Sequence, residues 1–176
     1  VRLTMADGVE LAATLFLPPA ELGPQPCLLE ALPYRKDDLT ASYAESYVAL
    51  RDTYGYAVCR LDLRGTGSSG GGATDEYPEA EQRDLVEVIA WLAAQEWCNG
   101  SVGMWGTSYS GFNSLQLAVE RPAALKAICA IYATDDRWTD DVHWRGGALR
   151  LVDQVDYNHY MTAMCVLPPV PAVWGD

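Results

Sequence analysis

The residues most able to do chemistry lie in one short segment, Gly-Thr-Ser-Tyr-Ser-Gly at 106–111. It fits the pattern G-x-S-x-x-G, with Ser110 standing where the stricter G-x-S-x-G pattern has its second glycine. A mostly apolar run at 102–105 precedes the segment and a helical pattern follows it, which is the strand–turn–helix setting of a nucleophile elbow. In that setting the backbone N–H of Tyr109 can stabilise an oxyanion beside Ser108. The segment predicts nucleophilic acyl transfer, and a Gly-Ser turn without chemistry is the alternative.

Strands and helices alternate around this segment. Apolar runs on both sides of Asp7-Gly8 predict a hairpin with strands at 1–5 and 9–17. Further strands are predicted at 27–32, 56–63, 101–105 and 125–132. Helices are predicted after a capping box at 42–45, from Pro78 onward, and at 109–120. This alternation predicts an α/β fold with a mostly parallel sheet, helices on both faces and the antiparallel hairpin at one edge.

The texture of the sequence changes after residue 133. Residues 134–141 are rich in aspartate, 149–164 have a helical pattern, and 167–171 contain three prolines that break any regular element. We therefore expect two parts. Residues 1–133 are the N-terminal part of a catalytic domain, and residues 134–176 are the truncated start of a helical cap insertion.

Charge and composition exclude several classes of partner. The formal net charge of −12 argues against binding to nucleic acid or to an anionic membrane, because both need a basic surface. The sequence contains no apolar run of about 18 residues, so no membrane span is predicted. It does not begin with a signal-peptide pattern, so a cytoplasmic location is expected. The composition leaves homo-oligomerisation open.

The five cysteines predict neither a disulfide framework nor a metal site. Cys27, Cys59 and Cys129 fall within apolar runs, which favours buried free thiols in a reducing compartment. The two histidines have no zinc-site spacing with the cysteines, so no metal and no cofactor are expected.

Four segments carry a family resemblance: LPYRK at 32–36, DLRGTGSSG at 62–70, WCNGSVGMWGTSY at 97–109 and LKAI at 125–128. In them the chain resembles the X-prolyl dipeptidyl peptidase-like serine hydrolases. That CocE/NonD group includes bacterial cocaine esterases and α-amino-acid ester hydrolases. The second and third segments together are specific, whereas a lone Gly-x-Ser motif is not. The resemblance implies the α/β-hydrolase fold and covers most of residues 1–133.

The resemblance also implies roles for individual residues. Ser108 would be the nucleophile, and the Tyr34 hydroxyl and the Tyr109 backbone N–H would be the two oxyanion donors. From the residues alone, a packing role with the hydroxyl in water is the commoner interpretation of a tyrosine such as Tyr34 after a strand. Asp62 and Arg64 are expected to hold the glycine-rich turn rather than to transfer protons. The expected substrate is a small-molecule ester, an amide or a short peptide.

The rest of a catalytic triad is not expected within this chain. In the α/β-hydrolase order the acid and then the histidine follow the serine on loops after later strands. Only His143 and His159 follow Ser108, and both precede any such strand. We expect His143, Trp144 and Trp138 to lie near the substrate pocket, and the chain alone to be weakly active or inactive.

Two alternatives from other classes remain. The glycines at 65–70 formally fit G-x-G-x-x-G, the pattern of a dinucleotide-binding turn. Against this, the loop continues for several residues before Pro78, whereas a dinucleotide-binding turn opens directly into its helix. A non-catalytic binding module on the same fold is the second alternative.

Overall fold

The computed structural model describes residues 1–174; the last two residues of the predicted cap segment, Gly175 and Asp176, lie outside the described residues. A six-stranded sheet with the order β1-β2-β4-β3-β5-β6 forms the centre of this part. Strand β2 pairs antiparallel with both β1 and β4, and the pairs β4–β3, β3–β5 and β5–β6 are parallel. The strands are β1 Arg2–Thr4, β2 Glu10–Phe16, β3 Gln25–Leu32, β4 Ala57–Asp62, β5 Cys98–Thr107 and β6 Leu125–Ile131.

Helices cover both faces of this sheet. They are α1 Ala44–Tyr54, α2 Glu79–Ala93 and α3 Tyr109–Glu120. Leu28 of β3 lines a cavity with α1, whereas Leu29 packs in the core cluster with the buried stripe of α2. Successive strand residues point to opposite faces, so α1 lies on one face and α2, with α3 beside it, on the other. The predicted mostly parallel α/β sheet with an antiparallel edge hairpin is confirmed.

Burial follows from this layering. All six residues of β4 are buried, because β4 lies inside the sheet with both faces covered. On α2 the apolar side chains face the sheet at helical spacing and are fully buried; they are Leu85, Val88, Ile89 and Leu92. The core therefore sits mainly between the sheet and the α2–α3 layer.

Two local predictions were wrong. The capping box at 42–45 does not form: α1 begins at Ala44, and its N-cap residue Tyr43 makes no side-chain cap hydrogen bond. A 3₁₀ turn, Ala41–Tyr43, leads into the helix instead, and its i→i+3 hydrogen bonds replace the cap. Cys27 and Cys59 are buried free thiols as expected, but Cys129 is exposed, since its strand β6 lies at the edge of the described sheet.

The segment after residue 133 has its own short elements. A small hairpin pairs β7 Trp144–Arg145 with β8 Ala148–Leu149, and the helices α4 Leu151–Val166 and α5 Pro171–Trp174 follow. The Arg35 guanidinium ties this segment to the loop after β3, donating to the carbonyls of Leu167 at 3.0 Å and Pro168 at 2.8 Å. The boundary at residue 133 stays a prediction. None of the helices in the described range is both long and apolar enough to cross a membrane.

Candidate active site

Ser108 lies at the sharp turn between β5 and α3. Its backbone has φ 59° and ψ −118°, a region that side-chain-bearing residues rarely adopt, so the turn is strained. Two hydrogen bonds hold it: the Ser108 N–H donates to the carbonyl of Ile131 at 2.8 Å, and the Phe112 N–H donates to the carbonyl of Ser108 at 2.9 Å. The strand β6 and the first turn of α3 thus fix the serine from both sides.

Two glycines allow strand and helix to approach closely at this turn. A Cβ on Gly106 would lie 2.1 Å from the Cβ of Ser110, and a Cβ on Gly111 would lie 2.7 Å from the carbonyl oxygen of Ile131. Neither distance is compatible with van der Waals contact. The G-x-S-x-x-G spacing is therefore a packing requirement of this elbow, and Ser110 fits where the stricter motif has glycine.

The Tyr34 hydroxyl and the Tyr109 backbone N–H are two hydrogen-bond donors that lie beside Ser108. The Tyr34 hydroxyl donates to Ser108 Oγ at 3.4 Å, and the backbone N–H of Tyr109 donates to the Tyr34 hydroxyl oxygen at 3.4 Å. Both bonds are long. Catalytic hydrogen bonds are often long in the absence of substrate and shorten when a substrate oxygen accepts them. Burial raises the pKa of Tyr34, which keeps its phenol protonated and able to donate. This arrangement can stabilise negative charge next to the serine.

The loop that carries Tyr34 is held by Asp62 at the end of β4. One Asp62 carboxylate oxygen accepts the Lys36 N–H at 2.9 Å and the other accepts the Ser68 N–H at 3.0 Å. A Cβ on Gly67 would lie within 2.4 Å of this carboxyl, so the glycine-rich turn wraps tightly around it. Arg64 pairs with Asp84 at 2.6 Å, and it anchors the same turn to α2. Asp62 and Arg64 thus occupy the scaffolding positions expected from the sequence.

A cavity of about 480 Å³ opens beside Ser108 and is rich in aromatic side chains. Its wall also contains the ion pair between Arg60 and Glu30, 3.0 Å apart and largely buried. The aromatic lining residues are Tyr34, Tyr43, Tyr47, Trp105 and Tyr160. The last four were not predicted from the sequence, because helical and strand periodicity does not show which residues of distant segments meet at one cavity.

The predicted pocket residues around His143 lie elsewhere. His143, Trp138 and Trp144 line a separate cavity whose described lining does not include Ser108. Trp138 stacks on Trp144 with ring centroids 5.3 Å apart, and it is 61% exposed. Among the described residues none of the three is hydrogen-bonded to Ser108 or Tyr34, and their role in substrate binding stays a prediction.

Neither histidine is hydrogen-bonded to Ser108. His143 is buried with its Nε2 3.6 Å from a Glu76 carboxylate oxygen, and its ring lies 5.0 Å from that of Tyr157. On α4, Nδ1 of His159 lies 2.5 Å from the carbonyl oxygen of Val155, and this helix face is exposed. Within residues 1–174, no histidine is placed as the general base of Ser108.

The glycine-rich turn does not have the geometry of a dinucleotide-binding turn. Residues 71–78 separate it from α2, which begins at Glu79, so no helix N-terminus faces these glycines directly. In the described part of the chain, no group of three or more histidine, cysteine or acidic side chains could hold a metal ion.

Comparison with known proteins decides the family. A family model for X-Pro dipeptidyl-peptidase (S15 family) matches residues 7–169. The chain belongs to this family. The resemblance to X-prolyl dipeptidyl peptidase-like hydrolases, carried by the four sequence segments, is therefore confirmed, and with it membership in a group of hydrolases.

Named relatives support the same assignment. The chain is 39% identical over 152 residues to a cocaine esterase from Rhodococcus, covering 85% of this chain but only 26% of that protein. A CocE/NonD family hydrolase from Staphylococcus aureus superposes with a TM-score of 0.79 at 25% identity, covering 94% of this chain and 32% of that one. An α-amino acid ester hydrolase superposes with a TM-score of 0.65 at 28% identity, covering 87% of this chain and 28% of that one. The α/β-hydrolase fold is confirmed, and the chain spans about a quarter to a third of each relative.

Proposed function

We propose that this S15-family chain is part of a serine hydrolase that cleaves ester or amide bonds through an acyl-enzyme on Ser108. The observation that carries the proposal is the hydrogen-bonded series at the turn: the Tyr109 N–H donates to the Tyr34 hydroxyl, which donates to Ser108 Oγ. Ser108 itself stands on a strained strand–helix turn. A noncatalytic turn has no need of a phenol hydroxyl and a backbone N–H grouped beside one serine oxygen. The strain is maintained by close packing, as is typical of functional turns.

The chemistry follows from these positions. Ser108 Oγ attacks the substrate carbonyl carbon while a base takes its proton, and the carbonyl oxygen becomes an oxyanion. The Tyr34 hydroxyl and the Tyr109 N–H donate to that oxyanion. The tetrahedral intermediate collapses, the leaving alcohol or amine departs with a proton, and water then releases the acid from Ser108. An amine leaving group needs that proton more than an alcohol does.

In this proposal the base and the acid of the triad come from sequence that continues beyond residue 176. Two observations support it: neither histidine is hydrogen-bonded to Ser108 among the described residues, and the chain spans 26% of the cocaine esterase. Without its base, Ser108 keeps its proton and is a poor nucleophile. The chain alone is then weakly active or inactive.

The proposed substrate class is a small-molecule ester, an amide or a short peptide. The names of the relatives, a cocaine esterase and an α-amino acid ester hydrolase, favour an ester. The aromatic lining of the cavity beside Ser108 favours a substrate with an apolar or aromatic group. Neither nucleic acid nor an anionic membrane is proposed as a partner, since the net charge is −12.

A fluorophosphonate probe tests the proposal, with intact mass as the readout. The chain of residues 1–176 is compared with a longer chain that continues its sequence through later strands, and each is paired with its Ser108→Ala variant. We expect one adduct on the longer chain, lost in Ser108→Ala, and little or none on residues 1–176.

The other outcomes discriminate between the alternatives. Rapid, Ser108-dependent labelling of residues 1–176 would mean that a base is already present, and His143 would be the first residue to replace. Absence of labelling on both folded chains would remove the hydrolase proposal and favour a binding module on this fold.

A further inference from the structure

The side chain of Tyr109 connects the elbow to a buried carboxyl group. Its ring stacks on Tyr77 with centroids 4.0 Å apart, and its hydroxyl accepts the Tyr77 backbone N–H at 2.8 Å. The same hydroxyl donates to Glu81 Oε2 at 3.1 Å. Tyr109 is only 4% exposed, so its side chain is fixed by packing and by two hydrogen bonds.

Glu81 is an unusual residue to bury at this place. It lies near the start of α2 and is 5% exposed, and its second oxygen, Oε1, has no hydrogen-bond partner among the described residues. No ion pair with Glu81 is formed in that part of the chain either. Among the described residues that line the same cavity, the one cation is Arg64, which is already paired with Asp84 and Asp7. A buried carboxyl without a cation costs stability, so the burial of Glu81 is not explained by a contribution to stability.

The backbone of Tyr109 gives a functional reason. Its N–H is one of the two donors proposed for the oxyanion, and α3 begins at this residue. The strained Ser108 backbone directly before it persists only where its surroundings fix it. Because the tyrosine ring and that N–H belong to one residue, contacts that fix the ring also restrict the position of the N–H.

We propose that Glu81 is a positioning residue of the oxyanion hole, which fixes the Tyr109 backbone N–H by accepting the Tyr109 hydroxyl hydrogen. The catalytic consequence rests on the proposed function, whereas the coupling between Glu81 and the Tyr109 N–H exists without it. Glu81 does not touch substrate in this scheme. It acts only through Tyr109.

The charge on Glu81 modulates this bond. Burial raises the pKa of Glu81 to about 7. A hydrogen bond to the ionised carboxylate is shorter and stronger than one to the protonated acid. The other charged or titratable groups around its cavity and its hydrogen bond are Arg64, Asp75, Glu76, Tyr77, Asp84, Tyr157 and Cys165. Ionisation of Glu81 should therefore change the chemical environment of the Tyr109 backbone N–H.

NMR titration of residues 1–176 tests the coupling without any need for catalysis. The ¹H–¹⁵N resonance of Tyr109 and the side-chain carboxyl ¹³C resonance of Glu81 are followed between pH 5.5 and 8.5. We expect both to shift with one midpoint, and the Tyr109 shift to vanish in Glu81→Gln. Glu79→Gln, an exposed carboxyl on the same helix, and His143→Gln should leave that shift unchanged.

A second arm measures the catalytic consequence on the chain that labels with fluorophosphonate. Glu81→Leu removes the acceptor and should slow labelling of Ser108 by about tenfold, since a misplaced donor stabilises the oxyanion less. Glu81→Gln keeps an acceptor oxygen and should restore labelling to within about threefold of the parent.

The two arms fail separately. A Tyr109 resonance that stays constant while the Glu81 carboxyl titrates overturns the positioning role, as does equal labelling of the parent and folded Glu81→Leu. If Glu81→Leu does not fold, the parent titration alone decides. Lack of labelling in every chain would instead remove the proposed function and leave the coupling measurable.

Discussion

Three residues combine in the proposed site, two at the elbow and one on the loop after β3, and each is held by a different part of the fold. Ser108 is fixed by β6 and α3, and Tyr34 stands on a loop held through Asp62. Tyr109 is held through its side chain by the loop before α2 and by α2 itself. Because donors that are already oriented need no reorganisation during reaction, this division of support favours oxyanion stabilisation.

Replacing Tyr34 with phenylalanine tests the hydroxyl donor. The change removes one oxyanion donor and keeps the ring, so labelling of Ser108 in the longer chain should fall by about 10²–10³-fold. Stability should change little, because the hydrogen bonds that this hydroxyl makes with Ser108 Oγ and with the Tyr109 N–H are each 3.4 Å long. Labelling rate and urea unfolding are the two measurements.

The matched control is Tyr160→Phe, which removes another phenol hydroxyl from the same cavity and should keep parental labelling. Parental labelling in Tyr34→Phe as well would exclude Tyr34 as an oxyanion donor.

At the scale of elements, periodicity and turn residues predicted most of the fold. The helix predicted at 109–120 matches α3, Tyr109–Glu120, and Asp7-Gly8 lies in the predicted hairpin turn. The failures were local. Ser42 lies in a 3₁₀ turn and does not form the predicted capping box. Cys129 is exposed because its strand lies at a sheet edge, which the sequence around it does not show. Strand order depends on pairing between distant segments, which no local pattern encodes.

The residues of the candidate site that belong to a recognisable sequence segment were also predictable. Ser108 and Tyr109 belong to one local motif, and Tyr34 was reached through the family resemblance of its segment. The link from Glu81 to Tyr109 was not predictable, because Glu81 looks like an ordinary acidic residue near a helix N-terminus. Its burial arises only when α2 packs beside α3.

Gly106→Ala tests whether the junction of β5 and α3 requires close approach. The new Cβ would lie 2.1 Å from the Cβ of Ser110, so strand and helix must separate, at a cost of about 2–4 kcal/mol in the free energy of unfolding. Gly72→Ala is the matched control, because its Cβ would meet no atom within 4 Å, and it should change stability by less than about 1 kcal/mol. Urea unfolding measures both, and equal midpoints for the two variants would contradict this account of the motif.

Over the whole molecule, acidic charge dominates, with 24 acidic against 12 basic side chains. Most carboxyls ionise below pH 6, so repulsion among them changes little between pH 6 and 8. Homo-oligomerisation, for which the exposed edge strand β6 offers one route, stays a prediction. Under these conditions a single buried carboxyl can govern how stability depends on pH near neutrality.

Glu81 should make the protein less stable as pH rises toward 8. Its pKa is about 7 in the folded state against an ordinary value of 4.5, so the folded state binds the proton more tightly than the unfolded state. The resulting stabilisation is fully present below pH 4.5 and is lost as pH rises through 7, a change of about 3 kcal/mol in the free energy of unfolding.

Urea unfolding at pH 5 and pH 8 tests this prediction. The free energy of unfolding should decrease less between these two pH values for Glu81→Gln than for the parent. Glu79→Gln, whose carboxyl is exposed, should behave like the parent. Parallel pH dependence in Glu81→Gln and the parent would mean that Glu81 ionises normally in the fold, and the charge-dependent part of its coupling to Tyr109 would be lost with it.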